Sequence, residues 1–409
     1  MSVRTAKNKY DIVVVGGGPL GWCAAQMLSQ SNIKTLLIEP KPLSPMPYWM
    51  TTGLGVFWPS LNDPPTRALV AHGIETASYL QNFCTHGVRF ATTFLGKKCT
   101  QPLPVFRLGI EAHEISELQT AQKQHLGLTA DIALGAGIFK EENEGRILVS
   151  RLDQKLPLQR FCADLKKSRV VDIREGQGSC TLHLDTGEQL SSEMVVLATG
   201  YQLAQLCPWL SQMLVPMADI STAWLTGIPV RGTQTPFGLR AANGHVAALF
   251  SPKKDSEGRH HWHISLSGPR FLLPRAGAGL SDFNGLTMDT LTPKIKNWLS
   301  EKLLPQVPAT LLGLPDEANK KNRFPLQLES VSMGVDCLPC DELPVLGELG
   351  TQGRILGGTG WLGCGWSAGF RSAQIIADLV VHGKSEKLLP LLKPLRWRSG
   401  MSDGVTGMT

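Results

Sequence analysis

The segment YDIVVVGGGPLGWCAAQMLSQSNIKTLLIEP, residues 10–40, leaves this chain little freedom of fold. Ile12 to Val15 are four consecutive aliphatic residues, the pattern of a strand buried on both faces. Glycines follow at once, then a helix-compatible stretch, then a second apolar run ending in Glu39. Strand, glycine turn, helix and strand in this order make a βαβ unit. Within it Gly16, Gly18 and Gly21 occupy the G-x-G-x-x-G positions, with Pro19 and Leu20 between the last two. The first glycine permits a tight turn, the second lets backbone reach a pyrophosphate, and the third lets helix and strand pack closely. The helix start then offers free N–H groups and a positive dipole end to the phosphates. Glu39, eighteen residues past Gly21, is placed to accept hydrogen bonds from ribose hydroxyls. A carboxylate there favours an unphosphorylated ribose, hence FAD or NAD rather than NADP.

The rest of the chain supplies the surroundings. YWMTTGLGVFWPSLNDPP, residues 48–65, carries glycines and prolines just after the acidic strand and reads as a wall of the site, with Thr52 a candidate contact. Residues 66–86 have a helical pattern, and residues 91–140 are mixed. GSCTLHLDTGEQLSSEMVVLATGY, residues 178–201, predicts a hairpin turning at Asp-Thr-Gly, followed by a strand that stops at the small pair Thr199-Gly200. From about 215 to 325 antiparallel strands are expected, with a helix over PKIKNWLSEKLL. A turn, a strand and an amphipathic helix close the chain, and between the last two lies GGTGWLGCGW, residues 357–366, with five glycines and two tryptophans. Glycines so dense exclude side chains where something must approach the backbone.

Composition narrows the partners. The net charge of +6 is spread over 40 basic and 34 acidic residues without a long basic run, so no nucleic-acid partner is expected. The first apolar run is too short for a signal peptide and no stretch is long enough to span a membrane, which leaves a cytoplasmic location as the expectation. Nine scattered cysteines fit reduced thiols. The one close pair, Cys337 and Cys340, lacks the second half of a zinc site and reads as a turn in preference to a redox pair, so no metal site is expected.

In this order the motifs VVVGGGPLG to LIEP, VVLATG at 195–200, PVRGTQ at 229–234, and DELPVLGEL followed by GGTGWLGCGWSAG resemble the D-amino-acid oxidase superfamily of FAD enzymes, which includes glycine oxidase and sarcosine oxidase. The resemblance implies an α/β fold. A Rossmann-like FAD-binding domain would comprise residues 1–65, 141–214 and 326–409, and a mostly antiparallel α+β substrate domain residues 66–140 and 215–325. It implies that the late glycine loop runs along the flavin, with Gly358, Gly360, Trp361, Gly363 and Gly365 as contacts beside Thr199 and Gly200. The helix that follows would place its dipole where negative charge collects on reduction.

Departures from the family pattern matter as much. Relatives often carry His where this chain has Trp361 and Cys364, and amino-acid-oxidising members have a carboxylate-clamping arginine in a stretch that here reads VSMGVDCLPCDELP. Arg231, Arg240, Arg270 or Arg275 would have to supply that clamp. Cys337 and Cys340 do not fall in the register of a covalent flavin link. HHWHISLSG alternates, placing His261, His263, Ser265 and Ser267 on one strand face, and His263 is the candidate catalytic group there beside Arg231. The tail KLLPLLKPLRWRSG is expected to pack on the flavin domain, with peripheral membrane contact the less favoured reading.

The function expected is FAD-dependent oxidation of a C–N bond in a small-molecule substrate, an amine, amino acid or imino compound. Hydride would pass to flavin N5 and electrons then to oxygen or another acceptor. The alternatives are a flavin dehydrogenase, desaturase or monooxygenase acting on a larger apolar biosynthetic intermediate, and a flavin-binding subunit that needs a partner. Action on a modified RNA base is disfavoured by the modest charge.

Overall fold

A computed structural model of the protein describes residues 10–41, 47–51, 53–130, 134–135, 137–152, 161–230, 234–280, 288–314, 325–394 and 396–397. The chain divides into two compact units, residues 1–51, 159–215 and 336–409 in the first and residues 52–158 and 216–335 in the second. Residues 52–65, 141–158 and 326–335, expected with the dinucleotide domain, lie in the second unit. The reason is that the loop 58–63 and the strands around Glu141 and Leu326 are tied into the second unit's sheet and its buried polar network.

The first unit is α/β. Five strands form its parallel row, in the order Ile355–Thr359, Gln189–Leu197, Tyr10–Val15, Thr35–Ile38 and Asp164–Lys166. Register is set by apolar residues on both faces, with Val13 opposite Val195 and Val14 opposite Leu37, all but excluded from solvent. The expected hairpin is present, Cys180–Leu184 against Gln189–Leu197, turning through Gly187 at φ 83°. Helices Pro19–Gln30 and Gly365–His382 belong to this unit, and Gly369 lets the second abut the start of the first, since a Cβ there would lie 3.0 Å from that of Pro19.

The second unit is built on an eight-stranded mixed sheet. Its order is Leu326–Pro339, Leu214–Pro229, His260–Ser267, Val246–Lys254, Phe237–Ala241, Val105–Leu108, Ile138–Glu141 and Leu128–Ala130. One face carries the apolar core, where Trp224, Trp262, Ile264, Leu266, Phe237 and Phe250 pack under the helix Met288–Trp298. The rings of Phe237 and Phe250 stack with centroids 4.6 Å apart, directly opposite each other in register. No helix among the described residues is long and apolar enough to cross a membrane.

Candidate functional site

Four turns of the first unit leave the carboxyl ends of neighbouring parallel strands. Gly16 follows Val15, Glu39 follows Ile38, Thr199 comes two residues after Leu197, and Gly360 follows Thr359. In an open parallel sheet this is the edge at which ligands bind. Backbone bonds lock the turns together: Gly16 N–H donates to the Ile38 carbonyl at 2.9 Å and Ala198 N–H to that of Val15 at 2.8 Å.

The glycines there separate into two kinds. A Cβ on Gly16 would lie 2.4 Å from the Ala198 oxygen, and one on Gly21 would lie 1.8 Å from the Gly16 oxygen, so the fold itself requires both. Gly18 has open space where its Cβ would be, and the helix that starts there, with Pro19 and Leu20 in its first turn, has no side-chain cap. An open cradle before an uncapped helix start suits a pyrophosphate. Gly200, at φ 60°, also opens on free space, and the adjacent Thr199 Oγ1 is buried without a hydrogen-bond partner. Trp49 Nε1 is a second such atom in this unit. Buried polar atoms of this kind normally find a partner, which a bound ligand can provide. Glu39 is buried and accepts from Gly17 N–H at 2.7 Å and from Lys41 N–H at 2.9 Å, which still leaves each carboxylate oxygen a lone pair for a ribose hydroxyl. The residues present therefore fit an adenine dinucleotide with a free ribose.

Three glycines of the late loop are required by the packing of the chain itself. Gly357 is required by the Leu197 oxygen, Gly358 by Trp361 and the Val345 oxygen, and Gly360 by the ring of Pro339, whose Cγ is 2.3 Å from where a Cβ would stand. At these three positions the crowding groups belong to the chain itself. The Trp361 indole reaches from Gly358 to Gly365, where a Cβ would sit at an ordinary 3.6 Å. Gly360, Leu362 and Gly363 all have positive φ, so the loop is tightly wound before the helix Gly365–His382 begins. Trp366 sits edge-on to Trp49, which in turn meets Trp22, with centroids 5.0 and 5.9 Å apart.

The two cysteines of the CxxC stretch differ. Cys337 is buried, and burial pushes its thiol up to about 12, whereas Cys340 is exposed. A soluble thiol reagent is expected to label Cys340 and the exposed Cys162 in the native protein and to leave Cys337 unmodified, as peptide mass spectrometry would show.

In the second unit the strand His260–Ser267 alternates as its sequence predicts: Trp262, Ile264 and Leu266 are buried in the core, and His261, His263, Ser265 and Ser267 are half-buried on the other face. His263 Nε2 lies 3.0 Å from Glu329 Oε2, and Lys253 Nζ lies 2.8 Å from the same oxygen. Burial lowers the His263 pKa, Glu329 opposes that shift, and Lys253 and Arg151 reinforce it. At the far end of the strand Ser267 donates to Asp219 at 2.7 Å, and burial raises the Asp219 carboxyl despite this bond and the nearby Arg270. Sequence reasoning missed Glu329, Lys253 and Asp219. Lys253 comes from the neighbouring strand of a hairpin, whereas the strands that carry Asp219 and Glu329 are distant in the chain.

Arg240 cannot be a substrate clamp. Its side chain is 1% exposed and turned into a network with Ser60, the Ser60 and Leu61 carbonyls, and Glu141. Arg107 joins the same network, donating to Glu141 Oε1 at 2.9 Å, and Ser60 Oγ donates to Glu141 Oε2 at 2.6 Å. Arg270 donates to Met217 Sδ at 3.3 Å, and Arg275 is exposed. Arg231 and Thr52 lie outside the described residues.

The profile of the DAO family, FAD dependent oxidoreductase, matches residues 11–379. No curated protein matches the sequence. Among solved structures the chain is similar to glycine oxidase from Geobacillus kaustophilus, with a TM-score of 0.65 at 16% identity over 95% of this chain and 98% of that one. It is also similar to L-proline dehydrogenase from P. horikoshii, with a TM-score of 0.64 at 14% identity over 97% and 99% of the two chains. For iminodiacetate oxidase from Chelativorans sp. BNC1 the TM-score is 0.61 at 13% identity, over 94% and 98%. At these identities the likeness concerns the fold.

Proposed function

The chain belongs to the DAO family of FAD-dependent oxidoreductases, and from that premise we propose that it oxidises the C–N bond of a small amine, amino acid or imino compound. When bound, FAD would supply the hydride acceptor, at N5, with oxygen or another acceptor taking up the electrons. The first unit holds the cofactor: Gly18, Pro19, Leu20 and Gly21 at the pyrophosphate, Glu39 at the ribose, Thr199 and Gly200 beside it. Gly358, Gly360, Trp361, Gly363 and Gly365 form the border of the flavin. The second unit presents the substrate face.

The observation that carries the amine reading is His263 held by Glu329 on a half-buried polar strand face. An amine reaches an enzyme at neutral pH as its ammonium, and a proton must leave nitrogen before the neighbouring C–H can go as hydride. A neutral imidazole oriented by a carboxylate is suited to accept that proton. Glu329 bonds Nε2, which leaves Nδ1 as the accepting atom, and Lys253 on the same carboxylate keeps Glu329 ionised.

Because burial is the largest influence on His263, its proton leaves below the ordinary 6.5. The base form is then present above that midpoint and lost as pH falls through it. kcat/KM for the amine is expected to rise with pH through a midpoint below 6.5. His263→Asn is expected to remove that limb and to lower kcat about a hundredfold, the modest end of a general base's contribution.

The reading itself is tested by mixing the purified flavoprotein anaerobically with amino acids, N-methyl amines and cyclic imino acids and following the oxidised flavin band. Bleaching by one class supports it, and a band unchanged across the panel refutes it. The inward turn of Arg240 favours a second reading, a larger substrate without an α-carboxylate.

A further inference from the structure

The tail crosses the strand Val345–Glu348, an edge strand paired with Ile355–Thr359. Leu388 and Leu392 are buried, and a Cβ on Gly347 would touch Leu388 and Pro394 at 3.6 and 3.7 Å. Beyond them the chain ends its described course in a grip on one carboxylate. Arg396 Nε donates to Asp341 Oδ2 at 2.7 Å and Nη2 to Oδ1 at 3.1 Å, a two-point fork. Nη2 also donates to the Leu343 carbonyl at 2.9 Å, and Nη1 to that of Leu392 at 2.9 Å. Trp397 Nε1 donates to Asp341 Oδ2 at 2.9 Å, while the Arg396 guanidinium stands 4.1 Å from the centre of the Trp397 ring.

Asp341 opens a turn that needs outside support. Glu342 has φ 58°, a conformation that costs a non-glycine residue, and the turn is closed by Leu343 N–H to Asp341 Oδ1 at 3.1 Å and Glu342 N–H to the Pro339 carbonyl at 3.0 Å. At the other end of the same turn is Pro339, the ring that occupies the Cβ position of Gly360. Tail, Asp341, Pro339 and Gly360 thus form one contact path.

We propose that Arg396 and Trp397 are positioning residues for the cofactor. By gripping Asp341 they hold Pro339 against Gly360 and fix the loop 360–365 in the shape that receives the flavin. This rests on the reading that the loop borders the flavin. A structural role alone would lower the melting temperature. A positioning role also loosens FAD.

The test is FAD affinity, obtained by titrating the full-length apoprotein and following flavin fluorescence, with the visible spectrum of the bound flavin as a second readout. Arg396→Gln is expected to raise Kd at least about tenfold, a loss of about 1.4 kcal/mol, and to alter the spectrum. Asp185→Ala, which weakens a turn elsewhere in the same unit by removing the acceptor of the Ser168 and Arg169 bonds, is expected to leave both readouts unchanged. A Kd within about twofold of wild type in folded Arg396→Gln protein, or an equal loss in Asp185→Ala, overturns the proposal. Should Arg396→Gln fail to fold, Arg396→Lys keeps the charge without the fork and carries the same comparison. Trp361→Leu separates the two readings. If it moves the spectrum and the Arg396 variant does not, the brace fails and the loop still borders the flavin; if neither does, the loop reading fails as well.

Discussion

Glu141→Gln is expected to destabilise the second unit by about 3–5 kcal/mol, seen as a lower denaturant midpoint in tryptophan fluorescence. Glu141 and Arg107 are 4% and 3% exposed, and Arg240 is 1% exposed, so three charges are out of water together. One carboxylate faces two guanidinium groups, and the balance is made up by carbonyl oxygens of the loop 60–63. Arg107 reaches Leu61, Asn62 and Asp63 at 2.6 to 3.0 Å, and Arg240 reaches Ser60 at 2.7 Å. The Arg240 guanidinium also lies 4.7 Å from the centre of the Trp58 ring, which can approach the sheet because residue 238 is glycine. An amide at position 141 keeps the shape and removes the negative charge that the two arginines share. Two buried cations then face each other with neutral acceptors and the Trp58 ring in place of the carboxylate. A glutamine variant as stable as the wild type would mean that water reaches the cluster.

The second large effect separates the two kinds of glycine. Gly21→Ala is expected to cost about 3 kcal/mol or more, because the new methyl would stand 1.8 Å from the Gly16 carbonyl oxygen and 3.0 Å from the Ala198 Cβ, with only backbone available to move. Gly18→Ala has nothing within 4 Å to strike, and its φ of −64° suits alanine. Its apoprotein should melt within a degree or so of wild type, since the substitution falls in open space. If the pyrophosphate lies there, the same variant loses FAD affinity by tenfold or more, on the order of 1.4 kcal/mol. Melting curves with and without FAD distinguish the two substitutions. A Gly18→Ala protein that binds FAD normally would remove the pyrophosphate from this turn.

What was legible in the chain was what lies close together in it. The βαβ unit from Tyr10 to Glu39 and the period-two alternation of His260–Ser267 are local patterns, and both are present. The network around Glu141 draws on residues near 60, 107, 141 and 240, so no spacing announces it. His263 was visible as a candidate while its partner Glu329 was not, because their strands are separated in the sheet order by Leu214–Pro229 and far apart in sequence. The strand Leu326–Pro339 begins in one unit and ends in the other, which no compositional break marks. Glycine density at 357–365 correctly indicated crowding but could not say whether a ligand or a proline was the crowding group.

The three-piece construction of the first unit sets an order of assembly during synthesis. Chains generally fold from the amino end as they leave the ribosome. Here the strand Tyr10–Val15 and its glycine turn emerge well before the strand Ile355–Thr359 that completes their parallel row, and before the arginine that grips Asp341. All pieces of the second unit are translated by residue 335, so it can close while the first is still incomplete. The glycine turn therefore gains the last strand of its parallel row only after every piece of the second unit is in place.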